Sequence, residues 1–495
     1  MQISRSWKSL LLGLGLLAGY ARSPVVAAPA EIVDIRDLEV RVWTADESKI
    51  PGLEREVTHL MQVNAKSVPA HHMLSHIFVR IFSNDPSDIY MLRQAADLAQ
   101  QAVDLAPQDP AGYTALADIL DLMGNTDGAL KLLKNAESRG IKPNWRFAFT
   151  RARLSADSGT TTKVLDLLGQ ALSYQDALPD IVVPYVVAVL HADAQPDELI
   201  AQLKSWNKHY PSQLFDLTLA ITYSEQGAVK QAHAIYEAML KTNPKNIEAR
   251  INNAILLYRD LQQPRKAVVQ LEQLLSDPLA DLTPSLRSTV VSHLGAAFVG
   301  AKSWDKARRS FIGAMDLETE RQQQLTEFIG KTYKSANAHA NLASLLAELS
   351  EHAGGAGPLY AMLGETLSER LSKHDAAIKA YTDAITLDPS RSDYYTGMGL
   401  ALYRKKSYLA ALKVFTTASE LDPGDAVPRY NQACVLALLG RAEESLQILA
   451  EAIALDPRLA MSAKTDHDFI SIAHSDKFHH VVDTTTPGPT FDVAH

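Results

Sequence analysis

Leu387-Asp388-Pro389, Leu421-Asp422-Pro423 and Leu455-Asp456-Pro457 decide the fold, because the three triplets stand 34 residues apart. Self-similarity at a fixed period of this length is the signature of a stacked array. Within Ser392–Asp425, Gly399, Ala411, Phe415, Ala418 and Pro423 fall at places eight, twenty, twenty-four, twenty-seven and thirty-two. The apolar residues between them follow helical spacing, so each unit reads as helix, tight turn, helix.

Each preference has a cause. Small residues at places eight, twenty and twenty-seven let two antiparallel helices approach closely, and an aromatic or leucine at twenty-four fills the gap beside them. Proline at thirty-two lacks an amide hydrogen and restricts the residue before it, which ends the second helix. One hairpin cannot bury both of its faces, so neighbouring hairpins stack.

The pattern resembles the tetratricopeptide repeat family, and the frame recurs upstream. Pro110–Pro143 carries Ala117, Gly124, Ala129 and Ala136; Gln213–Asn246 carries Ala220, Tyr223, Gly227, Tyr236 and Pro244. Ser288–Arg321 carries Gly295, Trp304, Ala307, Phe311 and Ala314, and Ala426–Leu459 carries Ala433, Gly440, Ala452 and Pro457. Pro358–Arg391 has Gly364, Ala377, Tyr381, Ala384 and Pro389 with one extra residue, expected in the loop. Trp145–Leu178, Asp180–Gln213 and Ile247–Ala280 keep fewer positions. In the second of these, Pro184 is expected to start the first helix. Ala70–Phe82 and Arg93–Ala106 read as a degenerate pair with Asn84-Asp85-Pro86 as its turn. The resemblance implies an all-α, right-handed superhelical solenoid of antiparallel helix pairs.

The expected organisation is a signal peptide (1–30), an N-terminal helical cap with a degenerate repeat (31–107) and a repeat array (108–321). Non-repeat helices and a glycine-rich hinge (322–357), three C-terminal repeats (358–459), a cap (460–482) and a disordered tail (483–495) follow. Residues 1–30 have the charged, apolar, small-residue order of a secretory signal, with Arg5 and Lys8 first and cleavage expected after Ala30. The apolar run is about 12 residues, short of the ~20 that span a bilayer. The expected location is therefore the periplasm, with no stable membrane span after signal removal.

The composition, 46% apolar and 21% charged, is that of a globular chain with material for a large core. Net charge is −9, and removing the basic leader makes it about −12. An acidic body without a basic stripe disfavours nucleic acid. The single cysteine, Cys434, sits in an apolar helix and reads as a small buried hydrophobe.

No nucleophile elbow, phosphate loop, dinucleotide fingerprint or H-E-x-x-H is present, so no catalytic residue, cofactor or metal site is assigned. His72 and His76 lie four apart on one helix face, a metal-ligand spacing beside Met73, but no carboxylate or cysteine lies nearby in sequence to complete a shell. A metal-binding or enzymatic protein using this histidine-rich region is the alternative function. A self-assembling structural solenoid is another, opposed by the apparent C-terminal cap.

In the resembled family, first-helix places two, five, six, nine, twelve and thirteen line the inner surface. The resemblance therefore implies a partner-binding surface at Asn252, Tyr258, Arg259, His293, Tyr403, Arg404, Tyr430 and Asn431, with Asp118, Asp121, Arg146, Arg153, Tyr185 and His191 at matching places upstream. The basic residues of a chaperone-tail clamp are missing; Thr289 and His293 stand where Lys and Arg would be needed. The expected function is a non-enzymatic scaffold of the bacterial cell envelope that binds a partner protein or peptide in the groove.

Overall fold

A computed structural model describes residues 34–156, 159–280, 282–317, 322–352 and 356–483. The expected signal peptide and the tail beyond Asp483 lie outside them. Among the described residues there are 26 α-helices and no strand. They fall into two compact units. The first runs to Leu261 and takes in residues 276–280, and the second comprises Gln262–Leu275 and the residues from Leu282 onward.

The first unit opens with α1 (Ile35–Thr44) and α2 (Ile50–Val63). Five hairpins follow: α3 (Val68–Asn84) with α4 (Ile89–Leu105), α5 (Pro110–Leu122) with α6 (Thr126–Ser138), α7 (Trp145–Leu154) with α8 (Thr161–Ser173), α9 (Pro179–Asp193) with α10 (Pro196–His209), and α11 (Gln213–Glu225) with α12 (Val229–Thr242). The unit ends with α13 (Ile247–Arg259). First helices also touch the first helix of a neighbouring hairpin: α3 packs on α5, α5 on α7, α9 on α11 and α11 on α13.

The second unit holds α14 (Pro264–Ser276), α15 (Pro284–Gly300), α16 (Trp304–Leu317), α17 (Gln322–Ser335), α18 (His339–His352), α19 (Gly357–Glu365) and α20 (His374–Leu387). It continues through α21 (Ser392–Arg404), α22 (Tyr408–Leu421), α23 (Ala426–Leu438) and α24 (Ala442–Leu455) to α25 (Leu459–Thr465) and α26 (Asp476–Asp483). The same first-to-first packing joins α15, α17, α19, α21 and α23. Residues 322–352, where the 34-residue frame is not legible, form two helices of 14 residues each.

The repeat residues do what their places predict. Ala411, Phe415 and Ala418 are fully buried, as are Ala117, Ala129, Phe311 and Ala314. The Leu-Asp-Pro triplets build one recurrent turn: Asp388, Asp422 and Asp456 each accept the backbone N–H two residues on, from Ser390, Gly424 and Arg458 at 3.0–3.1 Å. Asp109, Asn125, Asn144 and Asn246 cap the next first or second helix through their side chains.

Two expectations are corrected. The first helix of the Asp180 frame starts at Pro179, with Pro184 inside it. An interior proline costs roughly 3 kcal/mol. Ile181, Val182 and Val183 are all buried by the longer helix, and each such side chain contributes about 1.5–3 kcal/mol, so burial wins. The extra residue of the Pro358 frame is not in a loop either. It is taken up by a π-helical turn, Thr366–Arg370, that continues α19.

Candidate functional site

The first helices α5, α7 and α9 carry Asp118, Asp121, Arg146, Arg153, Tyr185 and His191, the upstream residues expected on the inner surface. Beside them lies α1, in contact with both α3 and α9. Three contacts hold it there. Glu39 accepts from the Arg146 guanidinium of α7 through two bonds, the Nε one at 2.8 Å. Trp43 stacks on His76 of α3, with ring centroids 3.7 Å apart, and meets Phe149 edge-on at 5.9 Å. Arg36 donates to the carbonyl of Ala177, just before α9, at 3.2 Å.

Around this seam charge and burial compete. Burial, followed by the nearby Arg146, drives the His72 imidazole down to about 3. Burial, then Arg80, His72 and Arg153, hold His76 well below its usual range. Both rings are therefore neutral, and one of them, His76, is covered by the Trp43 indole. Burial pushes the Asp118 carboxyl up while Arg153, at 3.3 Å, pulls the other way.

Farther along the same unit, α13 carries Asn252, Tyr258 and Arg259. Asn252 and Tyr258 are half-buried, and burial raises the Tyr258 hydroxyl above its ordinary range. Arg259 is exposed, held by Asp260 at 2.9 Å and Ser224 at 3.3 Å. Glu248, at place two of the same helix, was not singled out from sequence. Burial pushes its carboxyl up to about 7. Its place in the frame was the available signal.

In the second unit, His293 of α15 is half-buried and packs edge-on to Phe328 at 5.2 Å. Arg404 of α21 reaches Glu369 in the π turn at 3.0 Å. Tyr403 and Tyr430 face the C-terminal cap: Tyr403 Oη donates to Asp468 at 2.7 Å, and Tyr430 Oη donates to Asp466 at 2.9 Å. Asn431 beside it is half-buried. The structure thus groups Asn252, Tyr258 and Arg259 on one helix, and Tyr403 with Tyr430 around the cap. Within the second unit His293 lies on α15 beside Phe328 of α17, and Arg404 bonds to the π turn.

Cys434 is buried, as its apolar surroundings imply, but its thiol lies 3.8 Å from Asp466. Burial, then the two carboxylates, push the thiol up. Cys434, Asp466 and Asp468 offer three ligand atoms within 4.8 Å of one another, a group that could hold a cation if the thiol gave up its proton. Asp466 already caps the turn at Asp468, and both carboxylates are engaged by tyrosines. Among the described residues no helix is long and apolar enough to cross a membrane.

Residues 369–426, which include the π turn's end and the α20–α22 helices, match the tetratricopeptide repeat family. With the packing of Gly399 under Phe415 and of the alanines beside it, this segment is built as tetratricopeptide repeats. Curated relatives include the Superkiller protein 3 of Schizosaccharomyces pombe, 33% identical over 79 residues, covering 16% of this chain and 6% of that one. Another is the TPR repeat-containing thioredoxin TTL4 of Arabidopsis thaliana, 37% identical over 71 residues, covering 14% of this chain and 10% of the relative. The match thus spans a tenth or less of either relative's length. Similar solved structures include YrrB, described as a TPR protein with an unusual peptide-binding site (21% identity, 47% of this chain and 98% of that one, TM-score 0.25). The yeast Tom70 is another (15% identity, 85% and 91%, TM-score 0.30).

Proposed function

We propose that this chain is a non-catalytic scaffold that holds a partner protein or peptide on the inner faces of its first helices, outside the cytoplasm of a bacterial cell. Tetratricopeptide-repeat proteins are in general protein-interaction scaffolds. One observation carries the reading here: the inner face of α3, α7 and α9 already holds a helix, α1, by a bidentate ion pair and an aromatic stack. A surface that seats one helix by directional contacts has the chemistry to seat a peptide segment. The half-buried Asn252 and Tyr258 of α13 continue that kind of surface beyond the reach of α1. The leader-like order of residues 1–30 supports the location.

The test is site-specific photo-crosslinking in the native envelope. A photoreactive residue is placed at Asn252, on the inner face, or at Lys241, exposed on the second helix α12. A defined protein adduct from position 252 that is lost in Tyr258→Ala/Arg259→Ala is the expected result. Adducts from position 241 alone would move binding to the outer face and overturn the reading.

A further inference from the structure

We propose that the inner face of α3, α7 and α9 is an exchangeable helix-binding channel, that α1 is its resident, and that it accepts a partner helix bearing a carboxylate and an indole four residues apart. The proposal rests on the scaffold reading above and names the partner's chemistry.

The resident defines the pattern. Glu39 and Trp43 stand at i and i+4, so they project from one face of α1. That face meets Arg146 and the His76–Phe149 pair. Leu38 and Val42 form the adjacent stripe, both at 0% exposure, in a cluster with Ile50, Leu53 and Val57 of α2 and Met73 and Ile77 of α3. Any occupant must therefore present an apolar residue just before the carboxylate and another just before the indole. The carboxylate is the discriminating element. Glu39 is 2% exposed, and an occupant without a carboxylate would leave the mostly buried Arg146 without its charge partner.

Two features mark the resident as exchangeable. The indole Nε1 of Trp43 is buried with no hydrogen-bond partner, so docked α1 carries an unsatisfied donor that water would pair on its release. At ten residues α1 is also too short to persist as a helix in water, so it is folded by the channel rather than presented to it. A detached α1 then has little structure to compete with an incoming segment.

A charge-reversal cycle on the full chain tests this, with a fluorescent peptide of residues 34–45 as the probe. In Glu39→Arg, residue 39 repels Arg146 and weakens the resident. That variant is expected to bind the wild-type peptide at least tenfold more tightly than the wild-type chain does. Adding Arg146→Glu restores an internal pair and should again exclude the wild-type peptide. Failure of the folded Glu39→Arg chain to take up the peptide overturns the proposal. Should that variant not fold, hydrogen exchange on the wild-type chain decides. Amides of α1 that exchange faster than those of α3 support exchangeability, and exchange only with global unfolding makes α1 a fixed part of the core. The scaffold reading fails separately, through the crosslinks at position 252.

Discussion

A β-carbon placed on Gly399 would stand 2.5 Å from the ring of Phe415, so the eighth and twenty-fourth places of that hairpin are one contact. The same contact recurs at Gly295 with Phe311, 2.9 Å, and at Gly364 with Tyr381, 2.7 Å. Phe415 is fully buried, so the ring has nowhere to retreat. Gly399→Ala gains about 1 kcal/mol of helix propensity. Overpacking costs about 1–3 kcal/mol and should exceed it. A lower urea midpoint is expected, with partial recovery in Gly399→Ala/Phe415→Leu. An unchanged midpoint would mean that the hairpin opens freely at this contact.

Lys406 and Gly440 occupy the same turn position one repeat apart, at φ 64° and 74°. A side chain in this left-handed region is disfavoured by roughly 1–2 kcal/mol, offset in part by the greater freedom glycine has when unfolded. Lys406→Gly should stabilise the chain and Gly440→Ala destabilise it, each by about 1 kcal/mol. Opposite shifts in chemical denaturation check this. Space is not the issue at Gly440, where a β-carbon would meet nothing within 4 Å.

Glu248 gives stability a pH dependence. Its folded-state carboxyl titrates at about 7 against 4.5 for the ordinary group. Between those values the folded chain binds the extra proton, so stability falls as pH rises through this window, by about 3 kcal/mol in all. Glu248→Gln should flatten that part of the profile and raise the unfolding midpoint at pH 8. Equal slopes in wild type and variant between pH 5 and pH 7.5 would contradict the burial argument.

The Cys434 thiol is buried and faces Asp466. With its proton held more tightly than usual, it should alkylate at pH 8 at least about a hundredfold more slowly in the folded chain than in urea. Asp466→Asn removes the nearest negative charge and should quicken the folded-state reaction. Labelling at the unfolded rate in the wild type would show that the cap does not stay closed over the thiol.

The helices and their pairing were legible because place-specific residues carry them. Gly399, Phe415 and the prolines after each Leu-Asp pair report a local contact or a chain break, and local causes leave local traces. The inner face was legible only as positions. Arg146 sits at an inner place, as counted, but its partner Glu39 lies 107 residues away in a segment with no repeat frame. Tyr403 and Tyr430 likewise gave no hint that Asp468 and Asp466 would take their hydroxyls. The Pro184 expectation failed because a local rule was applied without the burial of Ile181, Val182 and Val183 on the other side of the balance. Glu248 escaped notice because a carboxylate on a helix reads as solvated until its neighbours are known.

The π turn at Thr366–Arg370 has a consequence for how such an array can change. One added residue advances everything beyond it by about 100° around the helix axis. Gly364, before the turn, still packs on Tyr381, while Glu369, within it, is swung to where it reaches Arg404 of the next first helix. A single-residue insertion can therefore re-aim one inner side chain and create a bond between adjacent repeats, with the stacking contact beneath left in register.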